Sequence, residues 1–138
     1  MGFFSSLFGF GESKKIIIKD EINIMDAINA HIQWKISLEK YLNGTSAEKL
    51  DPNIIRRDDQ CRLGKWIHGP ALKHFHGDDG FITLRDDHAQ FHMVAGEIVT
   101  NMHENDKAAA EVLMQGEYAR ASRKVEHALN DLSKQVFA

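Results

Sequence analysis

The sequence predicts an all-α protein, an antiparallel four-helix bundle with an additional short helix that carries the single cysteine. Three observations predict it. Only two prolines occur in 138 residues, and glycine is mostly confined to breaks between periodic stretches. Apolar residues recur at spacings of three and four along most of the chain, the period of helices that each bury one stripe. The one run that reads as a strand by itself, Ile16-Ile17-Ile18, leads without interruption into such a pattern. A chain of this length forms one domain with enough apolar content to bury a core.

Residues 1–14 read as a segment apart from the bundle of residues 15–138. Residues 1–11 carry no charged side chain and hold four of the eight phenylalanines. Wound as a helix, they would set Phe3, Phe4, Leu7 and Phe8 on one face and Ser5, Ser6 and Gly9 on the other. Such a face suits a membrane interface or a partner's groove. The plainer expectation is a terminus that tucks some of its aromatic rings onto the bundle.

The first helix is expected over residues 20–43. Ile22, Met25, Asn29, Ile32 and Ile36 mark one face, and Ala27, Ile28, His31, Trp34 and Leu38 mark a second. Two apolar faces predict one contact with the helix's own bundle and one with a second subunit. Asn43-Gly44 supplies the stop. Residues 45–57 form a looser segment in which Asp51-Pro52 makes a turn or a short helical start. Asp58 then reads as the N-cap of a short helix ending near residue 68. That places Cys61 in the first turn, where the helix dipole favours a thiolate. Gly64 inside this helix costs stability, so its expected use is the close approach of another helix.

Residues 69–80 read as a polar surface loop whose His74, His76, Asp78 and Asp79 lack a fixed ligand spacing. The third helix is expected over residues 81–104, with Phe81, Leu84, His88, Phe91, His92, Ala95, Ile98, Val99 and Met102 facing inward. Asn105 or Asp106 caps the last helical region, which carries Ala109, Val112, Leu113, Tyr118, Ala121, Val125, Ala128, Leu129, Leu132 and Val136 and is broken or bent at Gly116. His103 and His127 fall on polar flanks and read as solvated.

Charge excludes some functions. Seventeen Lys and Arg stand against 20 Asp and Glu, a net charge of −3. No basic block is present, so nucleic acid is not expected as a partner. A single cysteine forms no internal disulfide, and a thiolate ligand needs a reducing or metal-protected setting, which points to the cytoplasm. No stretch is long and apolar enough to span a membrane. The first residues lack the basic and continuous apolar regions of a secretory signal.

The chemistry gathers on four residues. His88 and His92 stand one helical turn apart on one face, a spacing that aims two imidazoles at one point. Cys61 sits in Cys61-Arg62-Leu63-Gly64-Lys65-Trp66, and His31 opens His31-Ile32-Gln33-Trp34. Three imidazoles and one thiolate form a complete tetrahedral set for zinc. Such a site is closed and leaves no position for substrate or water, and no HExxH glutamate stands ready as a base, so an enzyme is not expected. A di-iron bundle is excluded because carboxylate partners are missing; the residue four after His31 is Lys35.

The order H-x-x-W, then 26 residues, C-x-L-G-x-W, then 21 residues, H-x-x-x-H resembles the chemoreceptor zinc-binding (CZB) domain family of bacteria. The resemblance spans about residues 20–137 with no departure from the motif. It implies zinc ligands at His31, Cys61, His88 and His92, with Trp34, Leu63, Gly64 and Trp66 at supporting positions, and one zinc ion per chain. It further implies a usually dimeric helical bundle that regulates chemoreceptors or diguanylate cyclases, with Cys61 as the oxidisable ligand. With no output domain attached in this sequence, the expected role is a zinc or oxidant sensor acting in trans on such a partner, in the cytoplasm or at the inner membrane face through residues 1–11. The competing expectation is a structural or zinc-storing dimer without a signalling role. Deleting residues 1–11 should leave metal content unchanged, as read by elemental mass spectrometry; a collapse of metal binding would place the domain boundary wrongly.

Overall fold

The structure, a computed structural model, describes residues 24–45 and 49–137. The Phe-rich start, Ile16-Ile17-Ile18 and the expected helix start at residue 20 lie outside the described residues. The described residues are mostly helical and contain no strand. Four longer helices, α1 (Ile24–Leu42), α5 (Asp79–His103), α6 (Lys107–Gln115) and α7 (Glu117–Phe137), build an all-α bundle. Three short ones, α2 (Pro52–Ile55), α3 (Arg62–Trp66) and α4 (Leu72–Phe75), connect α1 to α5.

Local chemistry sets the ends of these helices. At the end of α1, Gly44 takes a positive φ of 74°. Its N–H donates to the Tyr41 carbonyl at 3.2 Å while Thr45 N–H reaches Lys40 at 3.0 Å. These are the paired bonds of a Schellman stop. Asn105, φ 60°, does the same after α5, with Asp106 N–H donating to Asn101 at 2.8 Å. Aspartates open three helices: Asp51 caps α2, Asp78 caps α5 through Phe81 N–H, and Asp106 caps α6 through Ala109 N–H. Each satisfies a backbone donor that has no partner inside the helix. A single non-helical residue, Gly116, separates α6 from α7.

Helix α5 is the axis of the fold, packed on α7, α6 and α2, while α1 lies against α7 and α6. Phe81, Leu84, Phe91, Val94, Ala95, Ile98 and Val99 of α5 are buried against Tyr118, Ala121, Val125, Ala128, Leu129 and Leu132 of α7. Leu38 and Leu42 bring in α1, and Ala110 and Met114 bring in α6. On α1 the two expected faces differ as their patterns require: His31, Leu38 and Leu42 are buried, whereas Ile32 and Ile36 remain exposed.

The segment between Cys61 and α5 departs from expectation. Residues 69–80 are not a surface loop. A wide turn over Ile67–Ala71, kinked at Gly69, leads into α4 and buries Ala71 and Phe75. Phe75 stacks on Phe81 with ring centroids 6.1 Å apart and stands 6.3 Å from Trp66. The apolar pair at i and i+4 outweighs the surrounding glycines and proline, because burying two such side chains contributes more than the turn residues lose. His74 and His76 flank this turn without joining a ligand set among the described residues.

Replacing Ile98, fully buried, by alanine should cost about 2–5 kcal/mol of unfolding free energy in urea. Val112→Ala, at a site 71% exposed, should change it by no more than about 0.5 kcal/mol. Equal effects at the two sites would contradict the core assignment.

Candidate metal centre

Three side chains from two elements converge on one point beside α5. His88 and His92, one turn apart, are both buried. Their Nε2 atoms lie 3.2 Å from each other. Cys61 Sγ lies 3.3 Å from His88 Nε2 and 3.5 Å from His92 Nε2. Among the described residues this trio is the one group of three or more His, Cys, Asp or Glu side chains close enough to share a metal ion.

The shape of that triangle fits a metal. Zinc bonds of about 2.3 Å to sulfur and about 2.0–2.1 Å to nitrogen, at tetrahedral angles, separate neighbouring ligand atoms by roughly 3.3–3.6 Å. The three observed edges fall at or just below that range. The donor set, a soft thiolate with two imidazoles, is one that zinc accepts.

Cys61 reaches the point because it is itself the N-cap of α3. Its sulfur accepts the Gly64 N–H at 3.3 Å. This corrects the expectation that Asp58 is the cap and that Cys61 sits inside the first turn. Asp58 is engaged elsewhere, with Oδ2 2.9 Å from His68 Nε2, so the helix begins three residues later. Gly64 is also reassigned. A Cβ there would run into the Asp58 carbonyl and stand 3.2 Å from Asp59 Cα. The close neighbour is the preceding loop, not another helix, and the glycine lets that loop fold back so that Cys61 faces α5.

His92 is oriented by a bond from its other ring nitrogen, with Nδ1 2.9 Å from the backbone carbonyl of Ile55 in α2. A carbonyl only accepts, so Nδ1 carries the proton and the Nε2 lone pair points at the cluster. The acceptor is none of the carboxylates near in sequence, Asp26, Asp58, Asp59, Asp86 and Asp87. His88 Nδ1 is buried and makes no hydrogen bond among the described residues.

His31 is brought to the cluster but not into the triangle. It is buried on α1, its ring edge-on to His88 with centroids 5.7 Å apart and to Phe91 at 4.9 Å. Of the other motif residues, Leu63, Gly64 and Trp66 are buried, and Trp34 is half-buried against the core.

Burial governs the protonation of the three central groups. It drives His88 down to about 2, reinforced by His92, His31 and His68. It pushes His92 down as well, against the opposing pull of the Ile55 carbonyl and Asp58. It pushes the Cys61 thiol up, against the N–H groups of Gly64 and Leu63, with Asp58 adding to the rise. Both imidazoles are thus neutral and able to donate a lone pair, and a bound dication would favour loss of the thiol proton.

This all-helical fold with a buried Cys-His-His cluster of metal-ligand geometry defines a helical metal-binding domain. Residues 31–99 match the family model of the chemoreceptor zinc-binding domain, and the chain belongs to that family. The match begins at His31 and takes in the whole cluster. It is a family of regulatory zinc-binding domains, not of enzymes. Neither a curated protein nor a solved structure matches the chain.

Acid should destabilise the metal-free protein through these histidines. His88 binds its proton below about 6.5 when unfolded and only near about 2 when folded. The unfolded state therefore holds more protons between those values, and the stabilisation present above pH 6.5 is lost as pH falls through that window. In urea unfolding from pH 6.5 to 4.5, the wild type should lose stability more steeply than His88→Asn, by up to about 1.4 kcal/mol per pH unit. Parallel slopes would show that the His88 ring is accessible to protons in the folded state.

Proposed function

We propose that the chain is a regulatory zinc-binding sensor in which Cys61, His88 and His92 hold one zinc ion and His31 supplies the fourth ligand. The observation that carries this reading is the triangle of one sulfur and two nitrogens with the edges of a zinc tetrahedron. When bound, zinc supplies a cross-link rather than chemistry on a substrate. The protein's residues do the rest: α5 contributes two ligands, the Cys61 cap contributes one, and α1 contributes His31.

Sensing is favoured over a purely structural staple by how α1 is attached. It packs on α6 and α7, and at the ligand cluster it presents the buried His31. Zinc occupancy would tie α1 to the α3–α5 side of the bundle, and loss of zinc or oxidation of Cys61 would release that tie. The position of α1 would carry the state of the site to a signalling protein, a chemoreceptor or cyclic-di-GMP enzyme by the family's type. A homodimer through the outer face of α1 is supported by the exposed Ile32 and Ile36. A cytoplasmic setting is supported by the thiolate, and among the described residues no helix is long and apolar enough to cross a membrane. Contact with the inner membrane face through residues 1–11 rests on their sequence.

The test is the metal content of the purified protein by elemental mass spectrometry, wild type beside His88→Ala and Cys61→Ala. One zinc per chain in the wild type, falling sharply in both variants, is expected. Zinc that persists in either would remove that residue from the ligand set. Capture of a signalling partner that changes when a chelator strips the zinc would support sensing; capture indifferent to zinc would leave the structural or storage role.

A further inference from the structure

The residues from His88 toward the C-terminal end of α5 form a row. His88, His92, Gly96 and Thr100 follow one another at intervals of four, so these positions lie along one ridge of the helix. The first two point into the ligand cluster. The second two meet the chain around α2, and they meet it at Arg56, the residue directly after the Ile55 whose carbonyl holds His92.

The contacts along this row are specific. The aliphatic stem of Arg56 lies directly over Gly96, in space that a Cβ at that position would occupy. Its guanidinium Nη2 donates to Thr100 Oγ1 at 2.8 Å. The Thr100 hydroxyl spends its own proton on the Gly96 carbonyl one turn back, at 3.0 Å. That fixes the hydroxyl with its lone pairs toward Arg56, and a cation has only donors to offer, so the match has one possible polarity. Nη1 also reaches Asn53 Oδ1 at 3.3 Å. Asn53 N–H is in turn held by Asp51 at 2.9 Å. The four-residue α2 is too short to hold a position by its own helical bonds.

We propose that Arg56, Gly96 and Thr100 form a clamp that positions the metal site through α2. They register the Ile55 carbonyl against His92 Nδ1 and so select the ring tautomer that leaves Nε2 for the metal. Arg56 touches no ligand atom and acts through its neighbour in sequence. Gly96 is required because any side chain would lift the Arg56 stem off the ridge. Thr100 is required for a hydroxyl acceptor whose direction is set by its own helix.

The proposal has two readouts, and only the second rests on the metal-binding reading of the site. In the zinc-free protein, long-range nitrogen-proton NMR spectra report the tautomer of each histidine ring. Wild-type His92 should be a single Nδ1–H species, and Arg56→Ala should turn it into a mixture of tautomers. In the second readout, competition with a chelator measures the zinc dissociation constant, which Arg56→Ala should raise about tenfold, the low end of what loss of an outer hydrogen-bond partner typically does. Thr100→Val, which removes the hydroxyl and little volume, and Gly96→Ala should move both readouts in the same direction, and Thr100→Ser should restore them. Should Arg56→Ala fail to fold, the Thr100 pair decides by itself. A lower melting temperature with the His92 tautomer unchanged and the zinc constant within twofold would overturn the proposal, leaving a clamp that serves stability alone. If wild type binds no zinc, the metal reading fails, and the tautomer result still decides the clamp.

Discussion

The structure depends on a polar cluster inside an apolar core. Two imidazoles and a thiol lie among the packed side chains of α5 and its neighbours, and such groups cost free energy when buried without partners. The site answers that cost in two ways. At the periphery Gly64 N–H donates to the sulfur and His92 Nδ1–H donates to the Ile55 carbonyl, which satisfies the outer sides of Cys61 and His92 though not that of His88. Their inner sides face one another at the separations of metal ligands. A cation held there would turn the three groups into a cross-link, and metal affinity would then be coupled to the stability of this region.

That constraint explains the otherwise uneconomical path between α1 and α5. A chain that had only to link two helices would use a few residues. This one makes three short helices, a loop folded back on Gly64 and a wide turn kinked at Gly69. Each has a place around the cluster: α2 delivers a carbonyl, the N-terminus of α3 delivers the sulfur, and α4 anchors the return by burying Phe75 in a stack with Phe81 and at a tilt to Trp66. The long helices provide the fixed frame, with α5 held by α7 along most of its length.

The helices of the frame are legible in the sequence because each buries a stripe at helical spacing, with Asn43-Gly44 marking the end of α1 and Gly116 the break between α6 and α7; that Asn105 is the left-handed stop of α5 shows only in the fold. His88 and His92 were legible from their spacing, and Cys61 from its rarity and its place near a helix start. What escaped was the supporting layer. A backbone carbonyl such as that of Ile55 leaves no trace in the sequence, since every residue has one. Arg56 reads as an ordinary charged residue in a connecting segment until its stem is seen on Gly96. Gly96 and Thr100 stand in register with the histidines, and that register is the available signal; small residues add little to an apolar pattern and so leave it faint. The start of α3 was misplaced because Asp58 is a good cap by type, and only the fold shows its carboxylate turned toward His68. The segment over residues 69–80 misled because its glycines and proline are stronger local signals than one alanine and one phenylalanine four residues apart.

The row from His88 to Thr100 has a mechanical aspect. Twelve residues of helix span about 18 Å, and a row stepped by four is inclined roughly 26° to the helix axis. The ligands occupy one end of this slanted rail, and the other end, Thr100, lies five residues before the left-handed Asn105, where α5 gives way to α6. A peptide segment seated along such a rail, as Ile55 and Arg56 are, crosses the helix obliquely. Any displacement along this rail therefore has a sideways component as well as an axial one.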